Sequence, residues 1–122
     1  MSVFQMIILV FIGSGLGGLT RFGISEISLK MIKSEFPFGT VITNFLACLV
    51  LGLVVHFYKD KLSQQLWIKY LVIIGFCGGF STFSTFSFET VALIKNQLYL
   101  YGILNILISL ALGIGILLAV AK

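Results

Sequence analysis

The chain has 122 residues, of which 59% are hydrophobic and 10% charged. A soluble domain carries charge on about a quarter of its residues, so this composition excludes one and points to an integral membrane protein. The formal net charge is +4, but the basic residues lie scattered between apolar runs rather than in one stripe, which argues against nucleic acid as a partner.

Four apolar runs are long enough to cross a bilayer: 3–25, 38–58, 67–94 and 98–121. A crossing takes about 20 residues at a rise of about 1.5 Å each. The connections 26–37, 59–66 and 95–97 are short and polar, and they leave no room for a soluble domain. The expected architecture is one all-α, multi-pass transmembrane domain in the lipid bilayer. The first run has full length and no Lys or Arg ahead of it, so it reads as a retained span rather than a cleaved signal.

The first run contains Gly13, Ser14, Gly17 and Gly18, with two pairs of small residues four apart. That spacing predicts close approach of helix backbones. Arg21 follows about one turn inside the span end. There it either snorkels to the headgroups or lines a wet vestibule that draws in anions. Segment 26–35 has room for an interfacial turn of helix before Pro37, which suits a helix start.

In the second run Thr40 and Asn44 share a face at i, i+4. Asn44 is costly at that depth unless its amide is satisfied, and the amide offers two donors and an acceptor. An interhelical bond and a pore-lining donor are both open. Cys48 and Cys77 lie inside apolar runs and read as small buried hydrophobes. No disulfide framework or zinc site is indicated.

The third run carries GFCGGFSTFSTFSFE at 75–89. Gly75, Gly78 and Gly79 predict a helix weakened near its middle. Unwound backbone at membrane depth survives only where it is buried in protein or lines a cavity, and its freed carbonyls can coordinate a cation. A three-residue period then places Phe83 and Phe86 near each other on one face. Their ring edges are the positive part of the quadrupole. Beside hydroxyl and amide donors such edges suit a small anion, although packing alone also explains them. Glu89 closes the motif and is expected to pair with Arg21 or Lys95.

The fourth run spaces Tyr101, Asn105, Ser109 and Gly113 four apart on a helix otherwise made mostly of Leu, Ile and Ala. One polar residue would be interhelical glue. Three donors in register predict a lined track.

Charge does not orient this chain. With the N-terminus inside, Lys59, Lys61, Lys69 and Lys122 face the cytoplasm, and Arg21, Lys30, Lys33 and Lys95 face out. The positive-inside rule needs an imbalance and finds none. Insertion in both orientations, with opposed copies pairing about a two-fold axis in the membrane plane, is the expectation.

The stretch GFCGGFSTFSTFSFE, together with GTVITNFLACLVLG at 39–52 and GGLTRF at 17–22, resembles the fluoride-specific channels of the CrcB/Fluc family over nearly the whole chain. The resemblance implies an antiparallel, dual-topology homodimer of four-helix subunits in the cell membrane, with the third helix broken. It implies two fluoride pores and one structural sodium ion, not transported, at the dimer centre. By position, it makes Asn44 the pore amide and Phe83 and Phe86 the aromatic pair facing fluoride. Tyr101, Asn105 and Ser109 become the polar track, and the carbonyls of Gly78 and Ser81 the sodium ligands. Arg21 becomes the vestibule arginine. Asn105 departs from the family's usual Ser or Thr, and Phe80-Ser81 from its usual Leu-Thr.

A small dual-topology, proton-coupled cation exporter would also use four spans and balanced charge. It needs a deep acid, and the only acid within a span is Glu89, near an end. An enzyme is not indicated, because no nucleophile–base pair or metal cluster stands out.

Overall fold

The computed structural model describes residues 1–121, all of whose regular structure is helical. Helix α1 is Val3–Met31 and α2 is Phe38–Tyr58, followed by a 3-10 turn at Lys59–Lys61. A π-helical stretch, Ile68–Cys77, runs directly into the short α3, Gly78–Phe80. Helices α4, Phe83–Lys95, and α5, Tyr99–Val120, complete the chain. Among the described residues four helical bodies are long and apolar enough to cross a membrane: Val3–Met31, Phe38–Lys61, Ile68–Lys95 and Tyr99–Val120. The protein is a multi-pass membrane protein. Lys122, used in the charge count, lies outside the described residues.

Helix α1 starts at a capping box. Ser2 Oγ accepts from the Gln5 N–H at 3.2 Å, and Gln5 Oε1 accepts from the Ser2 N–H at 3.0 Å. The helix then continues to Met31, six residues past the sequence-based end at 25. No glycine or proline interrupts 24–31, and Ile27, Leu29 and Met31 keep an exposed apolar surface going. Pro37 stands one position before α2 rather than inside its first turn.

The seam between α1 and the third span is a backbone-to-backbone contact. A Cβ at Gly17 would collide with the Phe76 carbonyl oxygen and lie 2.8 Å from the Phe80 nitrogen. A Cβ at Gly79 would run into the Ser14 carbonyl. Gly13 and Gly75 meet one turn away on the same seam. The four-residue spacing of small groups therefore packs α1 against the third span, as small-xxx-small patterns do in bilayers.

The third span is broken, but not at its glycines. Gly75, Gly78 and Gly79 all wind helically, and no described glycine has a positive φ. The chain becomes extended at Ser81 (φ −82°, ψ 157°) and Thr82 (φ −150°, ψ 113°). The glycines supply close approach. The hydroxyl residues after them supply the break, because Thr82 Oγ1 accepts from the Thr85 N–H at 3.1 Å and so caps α4.

Helices α4 and α5 form a tight hairpin. Gln97 sits in the left-handed region at φ 61°. The Leu98 N–H reaches back to Leu93 O at 2.9 Å, closing the α4 C-terminus in the manner of a Schellman motif. The buried apolar set of the single chain is small: Val41, Ala47, Ile68, Cys77, Phe80 and Leu93. Most other large apolar side chains face outward, as a bilayer or a partner requires.

Candidate functional site

Polar groups from α1 and α2 converge on the break. Asn44, from α2, clasps Thr82 in both directions. Its Oδ1 accepts from the Thr82 N–H at 2.7 Å, and its Nδ2 donates to Thr82 O at 3.3 Å. The clasp has consequences for the backbone. In an uninterrupted helix the Thr82 N–H would bond Gly78 O, and the Thr85 N–H would bond Ser81 O. Here the first goes to Asn44 and the second to the Thr82 hydroxyl. The carbonyls of Gly78 and Ser81 are thus deprived of their usual helical donors. The next carbonyl, that of Gly79, is taken by Arg21, whose Nε donates to it at 3.1 Å.

Beside the clasp lies a cavity of about 230 Å³ lined by Asn44, Cys48, Ser81, Thr82, Phe83, Phe86, Ser109, Leu110 and Gly113. Five candidate site residues from the sequence therefore share one space: Asn44, Ser81, Phe83, Phe86 and Ser109. The two rings stand 6.0 Å apart, centroid to centroid, tilted by 43°. That geometry lies within the range of favourable aromatic pairs. Phe83 is 81% exposed on the single chain. Asn44 Nδ2 has two hydrogens, and the clasp uses one of them. An amide oriented by Thr82 is thereby left with a second N–H in a cavity otherwise walled mostly by apolar groups.

Tyr101 and Asn105, the other two positions of the fourth-span stripe besides Ser109 and Gly113, do not line this cavity. Asn105 is fully buried, at 0% exposure. Its Nδ2 donates to Thr90 Oγ1 at 2.9 Å, and its Oδ1 accepts from Ser109 Oγ at 3.4 Å. The Thr90 hydroxyl passes the chain on to Phe86 O at 2.8 Å. Asn105 therefore ties α5 to α4 and holds, loosely, the hydroxyl that does line the cavity. A bond of 3.4 Å is long enough for Ser109 to turn toward another acceptor. Tyr101 stacks edge-on against Phe36, with centroids 5.8 Å apart. Gly113 is small because Cys48 Sγ would lie 3.3 Å from any Cβ there.

A second polar cavity, about 290 Å³, lies between the end of α1, the start of α2 and α4. Ser25, Ser28, Glu35, Thr40, Thr85 and Glu89 are among its walls. Among the described residues Glu89 makes no ion pair, so neither Arg21 nor Lys95 is its partner. Its Oε1 is buried with no hydrogen-bond partner, and the Thr40 hydroxyl is its polar neighbour.

Three wall residues, Cys48, Thr82 and Leu110, were not singled out as functional in the sequence. Cys48 follows Asn44 by four residues, and that spacing was the available signal. Thr82 announces itself only as a capping residue ahead of a helical run.

Residues 8–121 match the family model described as CrcB-like protein, Camphor Resistance (CrcB). Relatives named fluoride-specific ion channel FluC align over most of the chain. The protein of Coxiella burnetii (strain CbuK_Q154) is 42% identical over 111 residues, covering 89% of both chains. That of Dehalococcoides mccartyi (strain BAV1) is 39% identical over 108 residues, covering 88% of this chain and 83% of the relative. That of Flavobacterium psychrophilum is 32% identical over 110 residues, covering 90% and 89%. With the family model spanning nearly the full length, and with the motif that carries the break, the clasp and the paired rings inside the match, the chain belongs to the CrcB family.

Proposed function

We propose that this chain is a fluoride-selective ion channel of the plasma membrane that lets fluoride leave the cytoplasm passively, down its own gradient. The relatives' shared name supports the ion, and they are named channels rather than enzymes. The observation that carries the mechanism is the Asn44 clasp. It fixes a donor amide at the wall of a cavity that also holds Phe83, Phe86 and Ser109.

Fluoride is small and strongly hydrated. Moving a bare ion into low dielectric costs on the order of tens of kcal/mol. A conducting path must replace the lost water with donors, yet hold the ion weakly enough to release it. The free N–H of Asn44, the positive edges of Phe83 and Phe86, and the turnable hydroxyl of Ser109 provide donors of graded strength. Among the described residues no cationic side chain lines this cavity. Selectivity against chloride then comes from narrowness and donor geometry rather than from a strong positive field. Asn105 acts through Ser109, Tyr101 marks one end of the fourth-span stripe, and Arg21 serves the break from the vestibule side.

The working unit in this reading is an antiparallel homodimer. The carbonyls of Gly78 and Ser81, released by Asn44 and Thr82, are hard oxygen donors suited to a hard cation such as sodium. Two opposed copies would each supply that pair. The bound ion would provide fixed positive charge against the freed carbonyl dipoles, as a structural rather than a transported ion.

The test is ion efflux from liposomes holding the purified chain. Fluoride is expected to leave rapidly with a potassium shunt, and chloride to stay. Equal rates for the two anions would end the selectivity claim.

A further inference from the structure

The channel reading leaves both thiols of the chain without a role. Cys48 from α2 and Cys77 from the end of the π-helical stretch line one cavity of about 190 Å³, with Ala47, Leu51, Ile73, Gly78 and Ser81. Both are free cysteines, Cys77 buried and Cys48 partly so. Cys48 also lines the Asn44 cavity, so one of the two sulfurs stands in the wall between the spaces.

The donor set decides which ligand fits. Among the described residues no group of three His, Cys, Asp or Glu side chains comes together. Four-coordinate zinc is therefore unsupported. Two sulfurs in a mostly apolar pocket match a soft ion that accepts two ligands in a line. Charge narrows the choice further. A monovalent soft ion held by two thiolates leaves a net negative charge in low dielectric, which is costly. A divalent ion held by the same two thiolates is neutral.

We propose that Cys48 and Cys77 form a two-sulfur site for a soft, linear-coordinating divalent metal ion, for which divalent mercury is the probe. The reaction balances without an oxidant. Mercury(II) chloride meets two thiols, two Hg–S bonds form, two S–H and two Hg–Cl bonds break, and two protons and two chlorides leave. The resulting bridge ties α2 to the third span at the wall of the Asn44 cavity, and fluoride efflux slows. The proposal does not depend on the ion that the channel carries, because binding is read without flux.

The experiment treats the purified full-length chain with one equivalent of mercury(II) chloride. Intact mass should show one mercury gained and two hydrogens lost per chain, and both cysteines should then resist N-ethylmaleimide. A chelated ion should withstand roughly 10²-fold more competing 2-mercaptoethanol than Cys48→Ser or Cys77→Ser, because the second sulfur binds intramolecularly. A Cys77→Ser variant that holds mercury as tightly as the wild type would overturn the site. So would mercury bridging two chains. Should either variant fail to fold, alkylation of the wild type alone decides: protection of both thiols within one chain supports the site, and protection of only one rejects it.

Discussion

In the proposed channel Asn44 would do two jobs with one amide, and they can be separated. Its oxygen and one N–H hold Thr82, which leaves the second N–H unspent in a residue that lines the cavity. A hydrogen bond to a charged partner contributes about 1.5–3 kcal/mol. Asn44→Ala should therefore slow fluoride efflux roughly ten- to hundredfold in the liposome assay. Folding should survive, because the Thr82 cap on Thr85 remains. An alanine variant with wild-type flux would remove Asn44 from the pathway. Arg21 carries a prediction of another kind, because its Nε is spent on the Gly79 carbonyl. Arg21→Ala should lower the unfolding temperature in detergent, with a loss of about 1.5–3 kcal/mol. A variant as stable as the wild type would show that this contact holds nothing. The sequence made Asn44 legible, since an amide at that depth must find partners. It did not separate Asn105 from Ser109. Both lie on one stripe, and only the packing of α4 against α5 shows that the first is sealed against Thr90 while the second reaches the cavity.

At the scale of elements, the glycines of the third span explain what spacing can and cannot reveal. A Gly-rich stretch inside an apolar run reads equally well as a break or as a contact, because glycine permits both unusual angles and close approach. The partner decides, and the partner is α1, which sequence spacing does not locate. The break instead falls where Ser81 and Thr82 can satisfy the backbone by side chain. The seam gives a paired test. Gly17→Ala would press a methyl group into Phe76 O and Phe80 N, and overpacking of this kind costs about 1–3 kcal/mol. Gly18→Ala meets nothing within 4 Å and should stay within about 0.5 kcal/mol of the wild type. Thermal unfolding of the two variants side by side checks this, and equal losses would refute the seam. The hairpin at Gln97 offers the opposite sign. A non-glycine residue held at φ 61° is strained by about 1–2 kcal/mol, so Gln97→Gly should raise the unfolding temperature. The stretch 95–97 has no glycine, the usual mark of such a turn, so the left-handed position was not legible in the sequence.

At the scale of the whole molecule, the single chain leaves its most telling side chains uncovered. Phe83, one ring of the pair, is 81% exposed, and Ser84 beside it is exposed as well. A hydroxyl beside an aromatic ring on an outer surface is poorly placed against lipid alone. The opposed second copy proposed above would cover such a face, and the even split of Lys and Arg between the two sides would permit both orientations. If so, orientation should respond to small changes of charge. Gln64→Lys with Gln65→Lys adds two positive charges to the 59–66 loop and should fix that loop in the cytoplasm. Lys61→Gln with Lys69→Gln removes two from the same side and should fix the reverse. Each pair expressed alone should insert one way only, lack an opposed partner, and lose fluoride efflux. Expressed together, the two should supply both orientations and restore it. Single-cysteine labelling of the 59–66 loop from each side of the membrane reads the topology, and the liposome assay reads the flux. Full flux from a population shown to face one way would reject the opposed pair, and with it the shared carbonyl site of Gly78 and Ser81. The Asn44 cavity, built within one chain, would still stand.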